Sequence, residues 1–490
     1  MPISFNSIPV DIRTPGQFIE YDNSRAVQGS PAMPNVALII GQRLAAGSVA
    51  AEIPTMVASA TKGETYFGHG SMLAQMIEKF KAANAYTELW TIALDDVVAG
   101  VVATGTFTFT GTATEDGSVF LYIGGERIPV AVTSGDAFGT VAAAVDAAVT
   151  AYLLTNNLPV SSGVAGGVVT ITALHKGTLG NDIDLQVNYN PGEALPAGIS
   201  CAVVGMASGA TDPDIADAIA VFADKWYTTI VSAYDDDTNQ DLLEAELLTR
   251  WGPMVMQDGM AFIATADTAA NLTTAGNARN SQFTCYMGAG LSPTPSWVWS
   301  SVVAAIDCYE PDPARPRQTL LLPGVKAPKA EDQFTQSERN ILLTDGISTF
   351  TVGQDGSVYV ERLITTYQTN PTGVPDPSYL DITTMRTLAY LRYTLRARIA
   401  LRFPRHKLAN DGTNFGPGQA IVTPSIIKSE ILALFAQWET DDGLVENFAQ
   451  FSNDVIVERN ANYVNRVDVL LSPDLMNAFR VFAGQIQFLL

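Results

Sequence analysis

Val36-Ala37-Leu38-Ile39-Ile40 is apolar without a break. A short run of this kind reads as a strand covered on both faces. Ser71–Ala83 follows with Met72, Met76 and Phe80 at helical spacing, and Thr87–Leu94 is a second strand. The same rhythm returns later in the chain. Asp214–Asp224 is helical, with Asp212 as its N-cap and Pro213 at the first helical position. Strands at Trp226–Tyr234, Met260–Thr265 and Phe283–Met287 then alternate with helices at Asp241–Arg250, Ala269–Ala278 and Ser296–Cys308. Short strands alternating with helices predict an open, largely parallel sheet. The central α/β domain is therefore discontinuous, residues 35–99 and 207–345.

Between its halves the composition turns to Thr, Val and Gly. Thr104–Gly111, Ser118–Ile123 and Arg127–Thr133 alternate as strands, with turn signals at Glu115-Asp116-Gly117 and Gly124-Gly125. An Ala-rich helix, Ala137–Leu154, and two further strands, Gly167–Leu174 and Ile183–Tyr189, complete an inserted β-rich domain, 100–206. A Pro-rich passage from Pro311 to Pro328 marks a boundary. Beyond it, 346–478 reads as a C-terminal α+β domain. It holds a hairpin (Ile347–Val352 and Ser357–Arg362), long helices at Tyr379–Leu401 and Ser425–Trp438, and strands at Val455–Glu458 and Val464–Leu471. The fold class is α/β and α+β multidomain, flanked by extended arms. Pro2, Pro9, Pro15, Pro31 and Pro34 forbid a long helix in the N-terminal arm, 1–34, where Ile8-Pro9-Val10-Asp11-Ile12-Arg13 alternates like an edge strand.

The last residues, 479–490, alternate too: Gln485 and Gln487 sit between Gly484, Ile486 and Phe488. An apolar strand left unpaired is a sticky edge. This one must pair within its own sheet or add to that of another subunit.

Composition narrows the function. A charged fraction of only 16 % beside 47 % apolar residues suits a chain that hides much of its surface in contacts. A net charge of −22 makes nucleic acid an unsuitable partner. Cys201, Cys285 and Cys308, odd in number and widely spaced, point to a reducing compartment. The start lacks a basic-then-apolar leader, and no run nears the ~18 residues that span a bilayer. No cofactor, metal or catalytic residue is expected. His69, in Gly68-His69-Gly70-Ser71, has no serine-nucleophile loop to serve, and His175 and His406 lack metal-like spacing. No phosphate-binding glycine loop occurs. Asp235-Asp236-Asp237 follows a strand and precedes a helix, so Asp237 reads as an N-cap rather than a cation ligand.

One charge feature stands out. Arg386, Arg392, Arg396, Arg398, Arg402, Arg405 and Lys407 lie between Met385 and Lys407 with no acid among them. Two readings remain: core packing with salt bridges to the acidic remainder, or a helix presenting guanidinium groups to an acidic protein surface.

Ile8-Pro9-Val10-Asp11-Ile12-Arg13-Thr14-Pro15-Gly16 with Glu20–Ala26, then Phe67-Gly68-His69-Gly70-Ser71-Met72-Leu73, and finally Asn465–Asn477 with Phe479–Ala483 resemble, in order, segments of the tail sheath proteins of Mu-like contractile-tailed bacteriophages. The resemblance implies a structural subunit, not an enzyme. It would stack as hexameric rings around the tail tube, link neighbours by exchanged terminal strands, and contract to drive the tube through the host cell envelope. Strand exchange would involve Ile8, Val10, Ile12, Val481, Ile486 and Phe488. Arg392, Arg396, Arg398, Arg402 and Arg405 would face the tube. Implied partners are the chain itself, the tail tube protein, and baseplate and tail terminator proteins, without nucleic acid or membrane insertion. The place is the virion tail, assembled in the host cytoplasm. The sheath of a bacteriocin-like injection machine shares this plan. An α/β hydrolase and a non-contractile adhesive protein are rivals from other classes.

Overall fold

A computed structural model describes residues 13–19, 32–416 and 418–489. The opening apolar run forms β1 (Val36–Gln42), buried along its whole length. Next come β2 (Thr55–Met56), α1 (Ala60–Phe67), α2 (Met72–Ala83) and β3 (Glu88–Leu94). The β-rich insertion carries β4 (Val102–Gly111), β5 (Gly117–Ile123), β6 (Glu126–Val132), α3 (Phe138–Leu153), β7 (Val160–Ala165), β8 (Val168–Lys176), β9 (Leu185–Val187) and β10 (Ile199–Ala207). The α/β alternation then resumes with α4 (Ala216–Ala220), β11 (Thr229–Ser232), α5 (Asp237–Trp251), β12 (Met260–Thr265), α6 (Ala269–Asn277), β13 (Thr284–Gly288) and α7 (Ser296–Tyr309). Then follow α8 (Gln336–Thr344), β14 (Thr349–Val352), β15 (Val358–Arg362) and α9 (Ile382–Arg402). The rest comprises β16 (Lys407–Leu408), β17 (Ile421–Val422), α10 (Pro424–Thr440), β18 (Val445–Glu446), α11 (Phe448–Asp454), β19 (Ile456–Arg459), β20 (Val467–Leu470) and β21 (Asp474–Leu475).

The main sheet has the order β13-β12-β11-β1-β3-β2, and only β2 runs antiparallel to its neighbour. Chain order reverses between β1 and β11, the switch point where open α/β sheets usually hold ligands. Here insertion residues close over the end of β1: the buried Gln42 side chain donates to the Lys176 carbonyl at 2.7 Å. α7 is apolar nearly all round and buried accordingly, packing on α2, β11 and β12. Its two buried indoles keep their N–H groups satisfied, Trp297 by Gln75 at 2.8 Å and Trp299 by Ser292 at 3.0 Å. The insertion is antiparallel, with sheets β10-β4-β8-β7 and β6-β5-β9, and α3 packs against β4, β6, β7 and β8. Along β8 every second residue is buried, as a one-sided sheet requires.

By internal packing the chain divides into two units. The larger holds Pro34–Ala389, Asp442–Leu444 and the residues from Leu475 onward; the smaller holds Tyr390–Asp441 and Val445–Asp474 with the described residues before Pro34. In the smaller unit Phe435 of α10 stacks on Phe451 of α11 at 3.9 Å, and Trp438 donates to Thr394 at 3.0 Å. Ile427, Ile431, Leu434 and Trp438 share the buried face expected of them.

Several local expectations need correction. The helix expected over 214–224 is only the short α4, and its N-cap is Ile215. Asp212 does not cap it because its carboxylate accepts from the Thr178 N–H of the insertion at 2.8 Å. The N-cap of α5 is Asp236, not Asp237; it accepts from the Asn239 N–H at 3.0 Å. The insertion also has two strands beyond those foreseen, β7 and β10. β7 is an edge strand whose two valines, Val160 and Val164, are separated by Ser-Ser-Gly, too weakly patterned to signal itself.

Candidate assembly surfaces

Among the described residues, 476–489 adopt no helix or strand. A strand needs an edge to pair with, and 480–489 finds none within its own chain among the described residues. The own-sheet alternative is therefore not realised. Only the root of the segment is held. Arg480 donates to Asp381 at 2.9 Å and to Gln318 at 3.1 Å, and burial pulls its pKa down. Asp381 is shared, because Arg362 also grips it with bonds of 3.0 and 2.8 Å. Beyond this root the apolar side chains stand in solvent: Val481 is 79 % exposed, Phe482 84 %, Ile486 92 % and Phe488 78 %. Ile8, Val10 and Ile12, named from sequence as their companions, lie outside the described residues.

The basic helix splits by environment. At the start of α9, Arg386 turns inward to Asp307 of α7, whose side chain is fully buried. Arg386 donates to this carboxylate at 3.0 and 2.6 Å, and Arg317 at 3.0 Å. Burial alone would raise the Asp307 pKa, but the two guanidinium groups more than offset it and hold it below the ordinary value. In the second half of α9, Arg398 is buried against Glu430 of α10, and Arg402 donates to the same carboxylate at 3.0 Å. Arg392 is half-buried, whereas Arg396, Arg402 and Arg405 are exposed. The packing reading thus holds for Arg386 and Arg398, whereas Arg396 and Arg405 are free to meet a partner surface. Spacing along the helix did not separate them, because the deciding acids, Asp307 and Glu430, come from other helices.

His69 sits between the Glu64 carboxylate at 3.5 Å and the Leu153 carbonyl at 2.7 Å, a structural setting. Among the described residues no group of three His, Cys, Asp or Glu is placed to hold a metal, and no helix is long and apolar enough to cross a membrane. Burial raises the pKa of all three thiols, Cys201 to about 11, Cys285 to about 12 and Cys308 to about 11, so none is an activated nucleophile.

Residues 208–366 match the phage tail sheath protein central domain, and residues 374–489 the phage tail sheath C-terminal domain. The chain is 43 % identical, over 492 aligned positions covering all of both sequences, to the Mu-like prophage FluMu tail sheath protein of Haemophilus influenzae. The fold is similar to that of the sheath tail protein Lin1278 from Listeria innocua, at 12 % identity and a TM-score of 0.50 over 92 % of this chain and 94 % of that one. It is equally similar, at 12 % identity and a TM-score of 0.50, to a chain of the anti-feeding prophage baseplate in its contracted state, over 96 % of this chain and 97 % of that one. The chain belongs to the tail sheath proteins of Mu-like contractile-tailed phages, structural subunits of the virion tail.

Proposed function

We propose that this chain polymerises as stacked hexameric rings around the tail tube, and that the sleeve contracts to drive the tube through the host cell envelope. Each subunit lends its terminal segments to the C-terminal-domain sheets of neighbours, Val481, Ile486 and Phe488 from one end and Ile8, Val10 and Ile12 from the other. The observation that carries this reading is the exposed apolar segment after Arg480. Fully burying Val481, Phe482, Ile486 and Phe488 would contribute on the order of 6–12 kcal/mol per subunit before ordering costs. Main-chain pairing of an added strand does not depend on one side-chain surface, so it survives while other contacts rearrange.

The domains of this reading are the two arms, the discontinuous α/β domain, the inserted outer domain and an inner domain over 346–478. The inner domain faces the tube through the basic stretch. Exposed Arg396, Arg402 and Arg405 carry that contact, with Arg392 and Arg398 behind them. Exposed ion pairs are weak and salt-sensitive, which suits a contact that holds and then releases. Baseplate and terminator proteins bound the sleeve at its ends, and assembly takes place in the host cytoplasm. The similarity to a chain from a contracted baseplate is consistent with this mechanism.

The test is electron microscopy of purified full-length protein beside a variant lacking 481–489. Tubes or stacked rings are expected from the first only. Long ordered tubes from the truncated protein would refute strand exchange through this segment.

A further inference from the structure

The β-rich insertion leaves two strand edges open. Its four-stranded sheet ends on β7 at one side and on β10 at the other. Among the described residues, 161–165 and 200–204 make no backbone–backbone bonds except to β8 and β4. β10 also packs on β9, but the two are not paired. Natural sheets guard such edges with charge, proline or shortness. The other sheet of the insertion does so: β6 carries Glu126, Arg127 and Pro129, and β9 has only three residues. β7 and β10 are six and nine residues long and contain no Asp, Glu, Lys, Arg or Pro. The one bulge in β10 falls after Val204.

The outer face of the same sheet is equally bare. Along β4, Thr104, Thr106 and Thr108 alternate with the buried Ala103, Phe107 and Phe109 of the inner face. Thr106 pairs with Thr170 of β8 on one side and Val204 of β10 on the other, and Thr104 pairs with Thr172. The sheet's one Lys, Arg, Asp or Glu is Lys176, the last residue of β8. Two copies of a chain with net charge −22 repel each other wherever acids meet. Along this sheet they approach without that cost.

Strand direction selects the partner. β10 is antiparallel to β4, β4 to β8, and β8 to β7, so the two edges run opposite ways. A second copy set alongside, without being turned over, presents its β10 antiparallel to β7, and the alternation continues through the join. Aligning 161–165 with 200–204 puts Val164 opposite Cys201 and Ser162 opposite Val203. These four share the inner face, because they pair with Val169, Phe109, Ile171 and Phe107 in their own sheets. Such a contact is head-to-tail and builds a ring or a helical array rather than a closed pair.

We propose that β7 of one copy pairs with β10 of the next, joining the insertions of neighbouring subunits into a continuous sheet. The pairing rests on the edges themselves; only its place within the rings of a sleeve rests on the proposed function.

Cys201 supplies the probe, since it is part-exposed whereas Cys285 and Cys308 are buried. Full-length Val164→Cys and Ser162→Cys proteins are treated with a short bis-maleimide at assembly concentration, then run on denaturing gels with micrographs alongside. Opposite and diagonal neighbours across the join lie about 5–8 Å apart, within the linker's reach. Within one copy the two edges are about 14 Å apart, beyond it. A ladder of linked copies is expected from both variants and from neither in a Cys201→Ser background. Adding Ser161→Lys with Gly163→Lys to Val164→Cys should cut linkage at least about tenfold, as charge on an open edge blocks pairing. A Cβ at Gly163 meets nothing within 4 Å, so the strand accommodates that change. Linkage unchanged by the two lysines, or surviving Cys201→Ser, would overturn the pairing of β7 with β10. So would the absence of a ladder at both positions, whether or not tubes form. A ladder without tubes would leave the pairing standing and refute the sleeve.

Discussion

Asp307→Asn is the most informative single substitution in the larger unit. The native carboxylate is fully buried and receives bonds from two guanidinium groups, Arg317 and Arg386. Asparagine keeps the shape and one acceptor oxygen but leaves two buried cations without a counter-charge. Breaking a buried pair costs about 3–5 kcal/mol, and two stranded cations place this case toward the upper end. Trp297 and Trp299, on the same helix and fully buried, report the loss directly. Urea unfolding followed by their fluorescence should show the midpoint falling at constant slope. The pH dependence gives a second reading. A carboxyl whose folded pKa is depressed stabilises above its unfolded value, and that stability is lost as pH falls through the folded one. The wild type should therefore lose this contribution below about pH 4, and Asp307→Asn should lack that acid limb. Replacing Asp307, Arg317 and Arg386 together by Leu, Met and Met should recover much of the loss, since no charge is then stranded. A loss below about 1 kcal/mol for Asp307→Asn would refute the reasoning.

Asp182 and Asp235 behave oppositely. Burial and neighbouring acids push them up to about 7 and about 6, so their contribution is complete below pH 4 and disappears as pH rises through 6–7. Asp182→Asn should flatten the decline in melting temperature between pH 5 and 8 and, after discounting for partial exposure, stabilise at pH 8 by about 2 kcal/mol. Deleting 481–489 should shift subunit stability by no more than about 0.5 kcal/mol, because those side chains are already in water, while sleeves fail to form in micrographs. Arg396→Glu with Arg405→Glu should leave unfolding equally unchanged but abolish co-sedimentation with tail tubes and its salt dependence. Arg398→Glu, set against Glu430, should destabilise the smaller unit by about 2–4 kcal/mol in urea.

The parallel sheet was legible because β1, β3, β12 and β13 are apolar runs between amphipathic helices, a pattern set by burial on both faces. Less legible were features decided by distant partners. Asp212 has the residue type of a helix cap yet serves Thr178 of the insertion. Arg386 and Arg396 look alike in sequence, but only the first meets a buried acid. β7 and β10 pair at sheet edges, where weak patterning suffices once β8 and β4 are in place. The resemblance to sheath proteins rested on three spaced segments, and the full-length match to a Mu-like sheath protein agrees with it. The terminal segment was legible as apolar and alternating, but any pairing was not: described residues 476–489 form no strand within this chain.

Asp381 holds two arginines, and that sharing affects how the terminal segment can leave. When Arg480 withdraws, Arg362 still satisfies the carboxylate with its two bonds, so no orphaned charge remains behind. Arg480 itself is under-hydrated where it lies, with its Nε unpartnered, and gains water on departure. Its attachment is a detachable clip rather than an anchor. It ties the root of an apolar tail to a defined place on the subunit, and under the proposed strand exchange it would open at little cost.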